Sequence, residues 1–230
     1  LNSEKLLARL QEALGYFFND PGLLTHALTH ASFAYENGLP PNACNERLEF
    51  LGDAVLELCV SELLYTLFPG MSEGKLTSRR AALVCEPQLA ALARDLRIGK
   101  CIRLGNGEDQ SGGREKGSIL SDALEAVLGA IYLDGGADTV RGVVFRLFKP
   151  LANDAPALRD NKTTLQEILQ KNSRETAVYY IIDESGPPHN RIFTAQVTHQ
   201  GNVLGKGAGG SKKEAEQAAA GAALKSTPPK

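Results

Sequence analysis

The sequence predicts two domains of different class. Residues 1–150 read as an all-α domain, residues 151–158 as a linker, and residues 159–228 as a small α+β domain in the order α-β-β-β-α. Three observations carry this. Apolar residues recur at helical spacing through the first part, with no convincing strand. The stretch KPLANDAPALRDNK then breaks the pattern with two prolines and no apolar period. After it, alternating segments appear, closed by an alanine-rich helix former.

Each element has a local reason. Leu6, Leu7, Leu10 and Leu14 follow Ser3, a favourable N-cap. DPGLLTHALTHASFAYE opens with a proline near a helix start. NERLEFLGDAVLEL reads as a buried helix with Asn45 as N-cap and Leu51, Val55 and Leu58 as its anchoring face. SEGKLTSRRAALVCEPQLAALARDL divides into two helices, with Pro87 near the start of the second. GSILSDALEAVLGAIYLDGG is an apolar helix ending in paired glycines, and DTVRGVVFRLF is a short one after it. In the second part, KTTLQEILQKN is an amphipathic helix, AVYYIIDES a strand and GPPHN a turn. RIFTAQVTHQ places Ile192, Thr194, Gln196 and Thr198 on one face and Phe193, Ala195 and Val197 on the other. GNVLGKG is a third strand and SKKEAEQAAAGAALK the closing helix.

Composition excludes several classes. Of 230 residues, 43% are hydrophobic and 23% charged, which is ordinary for a globular chain. No stretch approaches the roughly 20 apolar residues of a membrane helix, so no membrane partner is expected. Charges throughout LNSEKLLARLQEALGYFF argue against a signal-peptide core. Cys44, Cys59, Cys85 and Cys101 show no C-x-x-C spacing and read as free thiols of a reducing cytoplasm. GNGEDQSGG lacks the G-K-[ST] ending of a phosphate loop, so no nucleotide cofactor is expected. His26 and His30, at i and i+4, could hold a metal; hydrogen bonding near a helix end is the more ordinary use. The net charge of −2 is uneven. Residues 156–230 hold 10 basic and 7 acidic side chains, and the remainder 15 and 20.

Carboxylates interrupt the two most apolar helices. At about 100° per residue, Glu46, Glu49 and Asp53 share one face of the first. Asp122 and Glu125 share a face of the second, and Gly129 continues it, allowing another helix or a substrate to approach closely. Acids facing one another across a cleft would form an all-oxygen site, suited to Mg²⁺ or Mn²⁺ rather than zinc. Two such ions can activate water and stabilise a leaving oxygen in phosphodiester cleavage. Spacing alone is equally compatible with solvated acidic faces.

NERLEFLGDAVL resembles the signature of the ribonuclease III family, endonucleases that cut double-stranded RNA. LGYFFNDPGLLTHALTHAS, LGNGEDQSGGREKGSIL and SILSDALEAVLGAIYLDGG resemble further blocks of that family, in order. The resemblance implies an all-α endonuclease domain using Mg²⁺, with Mn²⁺ as an alternative. It places metal ligation on Glu49, Asp122 and Glu125 and catalytic roles on Asp53 and Glu125. Glu46 and Glu73 become supporting acids, Glu46 complementing the dipole at its helix start. Glu57 matches nothing in the signature. Phe50 matches an aromatic at a homodimer contact, although an ordinary core Phe fits its position too.

In the tail, Ser211 and Glu214 form a capping-box pattern, which puts Lys212 and Lys213 in a first helical turn. The helix dipole opposes cations there unless an anion docks; solvent exposure of the two lysines is the plain alternative. DNKTTLQEILQ, GPPHNRIF and GAGGSKKEAEQAAA resemble the three signature segments of a double-stranded-RNA-binding domain. That likeness implies phosphate contacts from Lys212 and Lys213, minor-groove contacts from Gln166 and His189, and weaker ones from Thr163, Arg191 and Lys206. The implied protein is a homodimeric double-stranded-RNA endoribonuclease acting on ribosomal and other RNA precursors. Its rivals are a non-catalytic RNA-binding protein with a helical dimerisation domain, and a hydrolase of small phosphate esters.

Overall fold

The computed structural model describes residues 3–154, 161–170, 175–186 and 191–226. The chain divides into two compact units, Leu1–Ala155 and Pro156–Lys230.

The first unit is helical: α1 (Ser3–Leu14), α2 (Pro21–Ala27), α3 (Ala31–Glu36), α4 (Glu46–Leu67), α5 (Glu73–Leu83), α6 (Glu86–Asp95), α7 (Asn106–Gln110) and α8 (Gly117–Asp154). The segment opened by Pro21 starts a helix there, as expected, and holds a second one after it. The Asp20 carboxylate accepts the Gly22 N–H at 2.8 Å to start α2, and the His30 ring accepts the Ser32 N–H at 3.2 Å to start α3. Asn45 stands at the N-cap of α4 but makes no side-chain cap bond, because its own backbone is already helical. α8 is two helical segments joined at a kink, and the break falls at the paired glycines as the sequence predicts: Gly136 has φ 81° and ψ 177°. Leu151–Asp154, which the sequence reading assigns to the linker, continue α8. Ala152 there is fully buried, and its carbonyl accepts a bond from the Arg79 guanidinium at 3.3 Å.

α4 and α8 form the most extensive helix pair and run through the core. Leu48, Leu56, Val60, Leu63 and Leu64 of α4 meet Leu120, Leu124, Val127, Leu128 and Ile131 of α8, all buried. The expected anchoring face of α4 needs correction. Val55 is buried, but Leu58 is 68% exposed. The core face centres on Gly52, Leu56, Cys59 and Leu63; at about 100° per residue Leu58 points some 120° away from it. None of the four cysteines is in a disulfide, and Cys44 and Cys59 are buried. Among the described residues no helix is long and apolar enough to cross a membrane.

The second unit is α9 (Asn161–Gln170), β1 (Val178–Ser185), β2 (Ile192–His199), β3 (Asn202–Gly209) and α10 (Lys212–Ser226). The strands form one antiparallel sheet in the order β1-β2-β3. Ala195 and Val197 of β2 face a core with Leu165 of α9 and Ala215, Ala219, Ala220 and Ala223 of α10. β3 turns glycine toward that helix: a Cβ on Gly205 or Gly207 would lie 2.6 or 2.2 Å from backbone atoms of α10. An alanine-rich helix and a glycine-lined strand can therefore pack almost backbone to backbone.

Candidate metal centre and nucleic-acid interface

The acidic site is built where α4 crosses α8. Gly52 and Gly129 meet at the crossing. A Cβ on Gly52 would lie 1.8 Å from the Glu125 carbonyl oxygen, and one on Gly129 would lie 2.3 Å from that of Leu48. With no side chains between them, the backbones touch, and the carboxylates beside the glycines converge. Oxygens of Glu49, Asp122 and Glu125 all lie within 4.8 Å of one another, and all three side chains are half-buried. Asp53 lies next to them and is exposed.

The electrostatics record the crowding. Burial, and then repulsion from Asp53, Asp122 and Glu49, pushes the Glu125 carboxyl up to about 7. Burial also raises Glu49, followed by Asp122, Glu46 and Asp53. Asp122 is raised by burial; the Ser121 hydroxyl, donating at 3.2 Å, opposes this, Glu86 adds to it, and His30 works against it. Three carboxylates forced together in partial burial are destabilised as anions, which a divalent cation would relieve. The donor set is all oxygen and fits Mg²⁺ or Mn²⁺.

The other acids lie elsewhere. Glu46 is exposed in the first turn of α4. Glu73 starts α5, accepts the Thr77 hydroxyl at 3.0 Å, and borders a hollow with Tyr65 and Arg80, outside the carboxylate cluster of this chain. Glu57, unassigned from sequence, pairs with Arg80 at 3.3 Å, and Arg80 also donates to the Ser61 hydroxyl at 2.9 Å. Glu57 thus fastens α5 to α4. Both histidines have structural partners: His26 Nε2 lies 2.9 Å from the Cys44 carbonyl, and His30 caps α3.

Phe50 is not a core residue of this chain. It is 81% exposed and lies on α4 opposite the core, in line with Ala54, Leu58 and Tyr65. The spacing i, i+4, i+8, i+15 was the available signal for this apolar stripe, and Leu58 and Tyr65 were missed. Gly52 and the proximity of Glu86 and His30 to Asp122 were missed as well; only the fold brings them together.

In the second unit, the Ser211 hydroxyl accepts the Glu214 N–H at 3.2 Å, and the Glu214 carboxylate accepts the Gly210 N–H at 2.9 Å. This cap leaves Lys212 and Lys213 exposed in the first turn of α10, with Lys212 Nζ 5.9 Å from the Phe193 ring centre. Gln166 is committed inward: its carbonyl accepts the Ala177 N–H at 2.9 Å, and its Nε2 is buried. Arg191 pairs with Glu184. Thr163 is partly exposed on α9. Lys206 pairs in register with Gln196, on the sheet face turned away from α10, because Gly205 and Gly207 occupy the helix side. His189 lies outside the described residues.

Comparison with known proteins agrees with this geometry. Residues 20–151 match the family model described as ribonuclease-III-like, and residues 161–226 match the double-stranded RNA binding motif. Ribonuclease 3 of Desulforamulus reducens is 54% identical over 92% of this chain and 87% of its own length. Ribonuclease 3 of Pelotomaculum thermopropionicum is 50% identical over 97% and 94%. The solved nuclease domain of ribonuclease III from Campylobacter jejuni is 46% identical, with a TM-score of 0.58, over 63% of this chain and 94% of that one. A second structure of that Campylobacter domain, with a TM-score of 0.57 and 46% identity over 62% and 95%, is described as flexible in a region involved in dimer formation. A helical unit holding a carboxylate cluster, followed by this motif, places the chain in the ribonuclease III family.

Proposed function

We propose that the protein is an endoribonuclease that hydrolyses phosphodiesters within double-stranded RNA, using Mg²⁺ with Mn²⁺ as an alternative. The observation that carries this reading is the convergence of Glu49, Asp122 and Glu125 within 4.8 Å, in a chain that also bears a double-stranded RNA binding motif. Glu49, Asp122 and Glu125 would hold the cation. When bound, divalent ions supply charge stabilisation for an attacking water and for the leaving oxygen. Asp53, at the exposed edge of the cluster, would accept a hydrogen bond from the attacking water and orient it. Lys212 and Lys213 hold phosphates of the duplex. Attack on phosphorus with departure of the 3′-oxygen leaves 5′-phosphate and 3′-hydroxyl ends.

The active form in this proposal is a homodimer. The exposed stripe of Phe50, Ala54, Leu58 and Tyr65 is the face that a second copy would cover. Two-fold symmetry then supplies one carboxylate cluster for each RNA strand. Ribosomal and other RNA precursors in the cytoplasm are the proposed substrates, in keeping with four cysteines outside any disulfide. The test is incubation of labelled duplex RNA with and without Mg²⁺, beside Glu125→Gln. Metal-dependent cutting that the variant lacks supports the reading. Binding without cutting by the wild type favours a non-catalytic RNA-binding protein.

A further inference from the structure

The first unit is acidic on balance, yet it gathers five cations at one corner. Arg94, Arg97 and Lys100 follow one another at the end of α6 and in the 3₁₀ turn Ile98–Lys100, with Arg9 of α1 on one side and Arg114 on the other. Two hollows share this rim. One of about 220 Å³ has an aliphatic floor and is bordered by Arg9, Arg97 and Lys100. A second of about 110 Å³ is bordered by Arg94, Arg97, Lys100 and Arg114. Arg94 and Arg114 have acidic partners in Glu115 and Asp109. Asp95 lies on the rim of the larger hollow, but no ion pair involves Arg9, Arg97 or Lys100 among the described residues.

The backbone is unusual at the same point. Arg97 is left-handed, with φ 59°, a conformation that a residue with a side chain rarely adopts. It is the joint that turns the chain from α6 into the 3₁₀ turn, leaving both Arg97 and Lys100 exposed on the ridge between the hollows. Cations set in a row repel one another, and a row of anions offsets that repulsion better than a single small anion does. The position suits a ligand already on the carboxylates. Glu86, at the other end of α6, lies against Gly117 at the start of α8, the helix that carries Asp122 and Glu125, and ten helical residues span about 15 Å.

We infer that this corner is a docking surface on the helical unit for the phosphate backbone of the RNA duplex, additional to Lys212 and Lys213 and flanking the carboxylate cluster. The inference rests on the endoribonuclease reading for its ligand. It assigns Arg97 and Lys100 direct phosphate contacts, with Arg9 and Arg94 extending the row.

The test compares the two-unit protein with Arg97→Gln/Lys100→Gln, using a duplex of about 30 base pairs, roughly twice the span of one double-stranded-RNA-binding domain. Binding is measured against salt without Mg²⁺, and cleavage kinetics with it. Each lost phosphate contact lowers the slope of log affinity on log salt by about 0.7–0.9, so the double variant loses about 1.5. KM rises about 3–10-fold, and the charge-preserving pair Arg97→Lys/Lys100→Arg restores both values. An unchanged slope and KM overturn the inference, as does an equal loss in the charge-preserving pair, which would point to a folding defect. A wild type that binds the duplex but never cuts it overturns the functional reading, while the salt slope still decides the docking surface.

Discussion

Gly52 lies directly against Glu125: a Cβ on the glycine would sit 1.8 Å from the carbonyl oxygen of the glutamate. The contact ties the packing of the core to the geometry of the carboxylate cluster, because the same helix crossing sets both. Gly52→Ala must push α4 from α8 and spread Glu49 from Asp122 and Glu125. Overpacking of this kind costs about 1–3 kcal/mol, and each kcal/mol is about 2–4 °C in Tm for a chain of this size. Cleavage should fall about 100-fold or more, since carboxylates displaced by an ångström no longer share one ion. Gly142, also in α8, has open space around its Cβ position. Gly142→Ala should instead leave Tm unchanged or raise it slightly. Melting curves and single-turnover cleavage of the two variants check the contrast; equal effects would sink the crossing argument.

The carboxylate cluster makes metal-free stability depend on pH in a direction opposite to the usual acid effect. Glu125 binds its proton more tightly in the fold, at about 7, than at its ordinary 4.5. Between those values the native state keeps a proton that the unfolded chain releases, so stability falls as pH rises through the window. Glu49 and Asp122 are raised too and act in the same sense. Without metal, the wild type should melt several degrees lower at pH 7.5 than at pH 5. Glu125→Gln should flatten that trend and melt higher than the wild type at pH 7.5, while losing RNA cleavage. Added Mg²⁺ should raise the wild-type Tm more than that of the variant. Calorimetry with chelator and with Mg²⁺ measures each outcome, and a variant less stable than the wild type at pH 7.5 would contradict them.

Much of this was legible in the residues, and the gaps have physical causes. The α-β-β-β-α order showed because β2 alternates cleanly and α10 is rich in alanine, both local patterns. Asp122 and Glu125 could be placed on one face because helical spacing is fixed. What faces that pair is set by the crossing at Gly52, a contact between residues 73 positions apart, and no periodicity encodes it. Leu58 was misplaced for a related reason. On a helix as apolar as α4, both the core face and the opposite stripe are hydrophobic, so the pattern alone cannot say which is inside. Glu57 had no reading until α5 brought Arg80 beside it.

The exposed stripe on α4 makes a prediction about assembly. Phe50 and Leu58 are 81% and 68% exposed and contribute little to the packing of one copy. Phe50→Asp/Leu58→Asp should therefore fold, with Tm lowered only by the loss of association. Sedimentation should show the mass halved in the variant. Cleavage of both strands of a duplex should fall at least about tenfold, because a single cluster then meets a single strand. A wild type that sediments as a monomer, or a variant that keeps the dimer mass, would remove the stripe from the interface.

The lysines at the start of α10 set stability against binding. The helix dipole disfavours a cation in the first turn by about 0.3–1 kcal/mol at low salt. Lys212 is partly compensated by the Phe193 ring, 5.9 Å away, so Lys213 gives the cleaner experiment. Ser211 and Glu214 keep their cap bonds whether or not residue 213 is charged. Lys213→Gln should therefore hold or slightly raise Tm while weakening duplex RNA binding several-fold. It should also lower the salt slope by about 0.7–0.9, the signature of one phosphate contact. Melting curves and salt-dependent binding on the same preparation separate the two effects. A variant that loses Tm and affinity together would mean that Lys213 supports the helix instead of reading the RNA backbone.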